Sequence, residues 1–130
     1  MIIEKKYYFY AGHRNLSVGE NNGKLHINVY NVICYFQFNE INDGVTMLFS
    51  DIDNIVEPII KQYNHRLLLY KEDSLCNILK TANEPFFELP VETSLENISM
   101  WLSGQIKQAG LPIFKLELAE DKTSNVIFNL

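Results

Sequence analysis

A chain of 130 residues with 47% hydrophobic and 21% charged side chains has the composition of one soluble globular domain, residues 1–130, large enough to bury roughly two thirds of its unfolded surface. Sixteen acidic against eleven basic residues give a net charge of −5 with no Lys/Arg cluster, which argues against nucleic acid as a partner. No stretch approaches the roughly 18 apolar residues of a membrane span, and Met1-Ile2-Ile3-Glu4-Lys5-Lys6 is too short in its apolar part for a secretory signal; a cytoplasmic protein without a membrane partner is expected.

The first predicted element is a strand from Ile3 to Ala11, with Ile3, Lys5, Tyr7, Phe9 and Ala11 on one face and Glu4, Lys6, Tyr8 and Tyr10 on the other. Aromatic residues on both faces suggest cover on both, and Gly12-His13-Arg14 is expected to end the strand. Asn15 to Lys24 holds two Gly and three Asn and reads as a loop. A long second strand runs from His26 to Glu40. It projects His26, Asn28, Tyr30, Val32, Cys34, Phe36 and Phe38 to one side and Ile27, Val29, Asn31, Ile33, Tyr35 and Gln37 to the other. Such a strand is more than a monomer of this size needs and hints at burial against other subunits. Asn42-Asp43-Gly44 turns the chain.

Ile52, Ile55, Val56, Ile59, Ile60 and Tyr63 repeat at helical spacing, with Ser50 as the expected cap and Asp51 and Asp53 in the first turn, where the helix dipole favours negative charge. Pro58 is expected to kink or shorten this helix. Leu67 to Leu89 is irregular, with a turn at Asn83-Glu84-Pro85. Thr93-x-x-Glu96 is a capping box opening a second helix with an apolar stripe of Leu95, Ile98, Leu102, Ile106 and Ala109, which Gly110 and Pro112 stop. Phe114, Leu116 and Leu118 then alternate with Lys115 and Glu117, and Glu120 continues the apolar set, so its carboxylate begins on the core side. After a turn at Asp121-Lys122-Thr123, Val126, Phe128 and Leu130 form the apolar face of a last strand. The two cysteines lack CxxC spacing; Cys34 reads as a packing thiol in a strand and Cys76 as a surface thiol.

The order ββααββ predicts an α+β domain: a four-stranded antiparallel sheet with two consecutive helices packed on one side. There are no repeats or linkers.

With those elements in place, the chain resembles the family of 6-pyruvoyltetrahydropterin synthase and 6-carboxytetrahydropterin synthase, which has the T-fold. Phe9-Tyr10-Ala11-Gly12-His13-Arg14 is similar to that family's F-x-A-A-H-R, and Lys24-Leu25-His26-Ile27-Asn28-Val29-Tyr30 sits where it has L-H-G-H-N-Y. Gly44 to Asp51 resembles G-M-V-x-D-F-x-D, Tyr63-Asn64-His65 resembles L-D-H, and Thr93-Ser94-Leu95-Glu96-Asn97 resembles P-T-x-E-N. Leu118-Ala119-Glu120 with Thr123-Ser124 resembles the terminal glutamate motif. The three histidines of the chain, His13, His26 and His65, all fall on family histidine positions.

The resemblance implies sheets that join into an oligomeric barrel of three, four or six copies, a zinc ion held by three imidazoles, and a lyase reaction on dihydroneopterin triphosphate. It also shows departures. The third zinc histidine is Asn28, whose neutral amide oxygen is a weak ligand, so no tightly bound cofactor is expected and zinc would be held weakly by His13 and His26. The catalytic cysteine corresponds to Asn22, the L-D-H aspartate to Asn64 and the aspartate of the D-F pair to Leu48. His65 is the remaining candidate catalytic base, with a turn-capping role as its plainer alternative. Glu120 is the expected anchor for the amino-pyrimidine edge of a pterin, which the resemblance has it hold through two parallel N–H bonds, with Ser94 and Glu96 near the ring.

Three functions follow as expectations: a protein that binds a pterin or similar planar heterocycle through Glu120 in a pocket between subunits; an active lyase with an altered metal site of His13, His26 and Asn28 and with His65 as base; or a non-binding assembly module.

Overall fold

Side chains two apart on a strand share a face, and one face of each long strand enters a common core. The computed structural model describes residues 1–19 and 23–130, and Asn22 lies outside the described residues. Strand β1 (Ile2–His13) pairs antiparallel with β2 (His26–Gln37), which pairs antiparallel with β5 (Ile113–Ala119), and β5 with β6 (Asn125–Asn129). These are the four expected strands. The β2–β5 ladder slips at a bulge between Tyr35 and Phe36.

The region read as irregular carries structure of its own. Strand β3 (Arg66–Tyr70), helix α2 (Leu75–Thr81) and strand β4 (Phe86–Leu89) form a parallel crossover unit, and β3 joins β1 in parallel through Ala11, Gly12 and His13 alone. The sheet is therefore six-stranded and mixed, in the order β4-β3-β1-β2-β5-β6.

Helices α1 (Phe49–Lys61) and α3 (Leu95–Gln108) cover one face, burying Ile52, Val56 and Ile60 from the first and Ile98, Leu102 and Ile106 from the second against Phe9, Tyr30, Val32, Phe36, Leu116 and Leu118. Phe9 and Tyr30, partners in the β1–β2 register, stack with ring centroids 4.9 Å apart. The opposite face is open within one chain, and Tyr8, Tyr10, Ile27 and Val29 are exposed on it.

Several local expectations are corrected. Strand β1 does not end before Gly12 but continues through His13, because Gly12 lets β3 approach: a Cβ there would stand 2.6 Å from Leu67 Cδ2. The N-cap of α1 is Leu48, with no side-chain cap, so Ser50 lies inside the first turn. Pro58 neither stops the helix nor shortens it before Lys61; the backbone acceptor it leaves unpaired belongs to Asn54, an exposed residue. In α3 the cap is Ser94 rather than Thr93, its hydroxyl accepting the Asn97 N–H at 3.2 Å. Cys76 is buried, not superficial, with Sγ 3.4 Å from the Tyr70 carbonyl. No helix among the described residues is long and apolar enough to cross a membrane.

Candidate functional site

The core face of the sheet turns polar at one end, and the register decides which residues meet there. Phe9 lies opposite Tyr30, Ala11 opposite Asn28 and His13 opposite His26, so His13, His26 and Asn28 continue the strip that the stacked aromatics begin. Leu116 and Leu118 are buried from β5, and Glu120, one residue past its end and of the same parity, comes in beside them.

Glu120 Oε1 accepts two hydrogen bonds: from Asn28 Nδ2 at 2.7 Å and from His13 Nε2 at 3.0 Å. Its Oε2 has no hydrogen-bond partner among the described residues. The rings of His13 and His26 stand 5.7 Å apart by centroid, and Nδ1 of each is buried without a hydrogen-bond partner among the described residues. The Tyr30 hydroxyl behind them is likewise buried without a well-formed hydrogen bond among the described residues, and its phenol is pushed up by burial and, secondarily, by the charge of Glu120, which the nearby Asn28 amide only partly offsets.

The chain that follows His13 is tied down. Arg14 makes a two-pronged ion pair with Asp73, Nε to Oδ2 at 2.8 Å and Nη2 to Oδ1 at 2.5 Å, and the Arg14 carbonyl accepts from the buried Thr93 hydroxyl at 2.9 Å. Asp73 also accepts the Leu75 N–H at the start of α2. The Arg14 guanidinium, foremost, holds the Asp73 carboxyl below the usual carboxylate range. Sequence reasoning missed Arg14 and Asp73; a lone Asp ahead of Ser74-Leu75 gives a weak capping signal and none of its remote partner.

A cavity of about 470 Å³ opens on this end, lined by His13, His26, Ser94, Glu96 and Glu120 together with Asn15, Val18 and Leu95. Five of the sequence-derived candidates thus share one cavity, with Asn28 bonded to Glu120 at its edge. Ser94 is half-engaged as a helix cap, and Glu96 is exposed in the first turn of α3. Glu120 is 29% exposed at the side chain.

His65 is not brought into this cavity. It is exposed with a φ of 57°, its N–H donates to the Tyr10 carbonyl at 2.7 Å, and its ring packs near Tyr10 at 5.5 Å by centroid. It lines a separate cavity of about 360 Å³ with Gly12, Ile27 and Arg66. The adjoining Asn64 accepts the Tyr10 N–H through Oδ1 at 3.0 Å, so Asn64-His65 is bonded to the outer edge of β1. No three His, Cys, Asp or Glu side chains among the described residues are arranged to hold a metal ion.

Comparison with known proteins gives a consistent picture of this architecture. The family model described as 6-pyruvoyl tetrahydropterin synthase matches residues 2–129. No protein of curated function matches the sequence. Among solved structures, an uncharacterised protein of Wolinella succinogenes superposes with a TM-score of 0.80 at 18% identity, covering 99% of this chain and 97% of that one. The 6-pyruvoyl tetrahydropterin synthase of Caenorhabditis elegans follows at 0.73 and 15% identity, covering 100% and 95%. A catalytic-residue mutant of the Plasmodium vivax enzyme gives 0.71 and 17%, covering 100% and 99%.

Proposed function

The chain belongs to the 6-pyruvoyl tetrahydropterin synthase family, and from that membership we propose that it binds a pterin or similar planar heterocycle in the cavity at Glu120, as a cytoplasmic homo-oligomer of three, four or six copies. The observation that carries this reading is the placing of Glu120: a partly exposed carboxylate at a cavity wall, with Oε2 uncommitted while Oε1 is held by two donors. An N–H on the edge of the heterocycle binds Oε2. Ser94 and Glu96 line the same cavity and bear on the ring from α3. Oligomerisation is supported by the open sheet face, where Ile27 is 80% exposed and Tyr8 63%.

Calorimetric titration of pterins and purines tests the proposal. Binding tighter than millimolar is expected, weakened by ~10- to 100-fold in Glu120→Ala, the worth of a hydrogen bond to a charged acceptor. Absence of binding, or equal binding by the variant, removes the reading.

An active lyase is the second reading. In the Plasmodium vivax enzyme the residue mutated as catalytic is a glutamate, and Glu20 is the single acidic residue between Arg14 and His26 in this chain. Glu20 lies outside the described residues. Incubation with dihydroneopterin triphosphate, comparing the wild-type chain with Glu20→Gln and with a substitution at His65, separates the two: turnover lost in Glu20→Gln supports an acidic base, turnover lost only at His65 supports the histidine, and an inert wild-type protein leaves binding alone.

A further inference from the structure

We infer that the Glu120 carboxylate takes over, in this chain, the place that zinc holds in the family site, so that His13 and Asn28 serve as hydrogen-bond donors to one oxygen instead of as metal ligands. A metal ligand must offer a lone pair. His13 Nε2 stands 3.0 Å from Glu120 Oε1, and a carboxylate only accepts, so Nε2 carries a proton whether the ring is neutral or charged. Asn28 turns its Nδ2, also a donor, to the same oxygen at 2.7 Å. Two of the three positions that would face a metal are thus occupied by N–H groups converging on an anion.

The outer side of the imidazoles agrees. A metal-bound histidine ordinarily has its second ring nitrogen held by a carboxylate, carbonyl or water that fixes the ring and raises its basicity. Nδ1 of His13 and Nδ1 of His26 are both buried with no carboxylate or carbonyl acceptor among the described residues. The donor set therefore does not fit zinc, and the negative charge of Glu120 supplies what holds the end of β1 to β2 and β5. This inference concerns the unliganded site and stands or falls independently of whether a heterocycle binds.

The test uses zinc itself on the full chain. Wild type and Asn28→His are loaded with excess zinc chloride, dialysed and measured by elemental analysis, while ¹⁵N NMR of the wild-type imidazoles reads the tautomer of His13. Substoichiometric zinc in the wild type, a protonated Nε2 on His13 and at least ~10-fold tighter zinc in Asn28→His are expected. Stoichiometric zinc in the wild type, or a His13 Nε2 without its proton, overturns the inference. So does a folded Asn28→His that gains no zinc; should that variant fail to fold, the NMR and the wild-type metal content decide alone.

Discussion

His13 lies directly opposite His26 in the β1–β2 ladder. That pairing follows from a register set further along the same strands, where Phe9 stacks on Tyr30 and Val32 and Cys34 are fully buried. A slip of one residue would carry every one of these side chains to the open face. The site is thus the polar continuation of a hydrophobic strip, and its geometry is fixed by packing remote from it.

The junction at Gly12 is the tightest point of that arrangement. An alanine Cβ would meet Leu67 Cδ2 at 2.6 Å and the His26 carbonyl oxygen at 3.2 Å. The Leu67 tip can swing aside, but the backbone oxygen cannot move without disturbing the pair it belongs to. Gly12→Ala is expected to cost about 1–3 kcal/mol in urea denaturation, with part of the loss restored by Leu67→Ala in the same chain. A Gly12→Ala protein as stable as wild type would contradict this reading of β1.

Asp73 is 4% exposed and carries both Arg14 and the start of α2. Asp73→Ala leaves the guanidinium without its partner and is expected to lose about 3–5 kcal/mol. The sign with pH follows from the lowered carboxyl. Its contribution is present above the unfolded value of about 3.9 and disappears as pH falls through the lower folded value. Asp53 is also lowered: burial opposes ionisation there, but hydrogen bonds from Lys5 and Tyr7 outweigh it. The acid limb of a stability–pH curve should therefore flatten in Asp73→Asn without vanishing, as thermal melts across that range would read.

Burial, first of all, raises the phenols of Tyr7, Tyr30 and Tyr63, while the Glu117 hydrogen bond takes Tyr35 to about 12. Unfolded tyrosines ionise near 10, so these groups favour the folded chain below that pH and destabilise it progressively above, and phenolate absorbance should rise together with unfolding. At Tyr30 the hydroxyl has only the Asn28 amide near it, too far or too poorly aligned to count as a hydrogen bond among the described residues. Tyr30→Phe is expected to leave stability unchanged or raise it by about 1 kcal/mol; a drop of similar size would mean that the hydroxyl serves a bond in solution.

For the open face, Ile27→Lys places a charge on the most exposed of its apolar side chains. Sedimentation should show the variant dissociating to smaller species at concentrations where the wild type is assembled, with the far-ultraviolet spectrum of the folded chain retained. A wild-type protein that sediments as a monomer would remove the assembly altogether, and with it the pocket between subunits.

How legible this was depends on range. Period-two alternation marked β1, β2, β5 and β6 because each is more buried on one face than on the other, and the parity that runs Leu116, Leu118, Glu120 put the carboxylate on the inner side. The parallel pair β3 and β4 was hidden: five and four residues long, with Leu67-Leu68-Leu69 unbroken by polar side chains, they show no period, and their partners lie far off in sequence. Thr93 had the right chemistry for a cap but is used by the Arg14 carbonyl, 79 positions away. The bonds from Asn28 and His13 to Glu120 need two ladders in register at once, which no local pattern encodes.

The sheet's two long margins are unlike. Along β1 only Ala11–His13 has β3 beside it, and β6 has β5 on one side and, among the described residues, no strand on the other. Were copies to join β6 to β1 they would meet head to tail, a heterologous contact that cannot make a two-fold dimer and gives a ring where the rotation closes and an open filament where it does not. In such a ring the number of members would follow from the curl of each chain, which a bulge like the one at Tyr35/Phe36 tends to increase. A substitution that irons out the bulge would change how many copies complete the circle before it changed how firmly any two adhere.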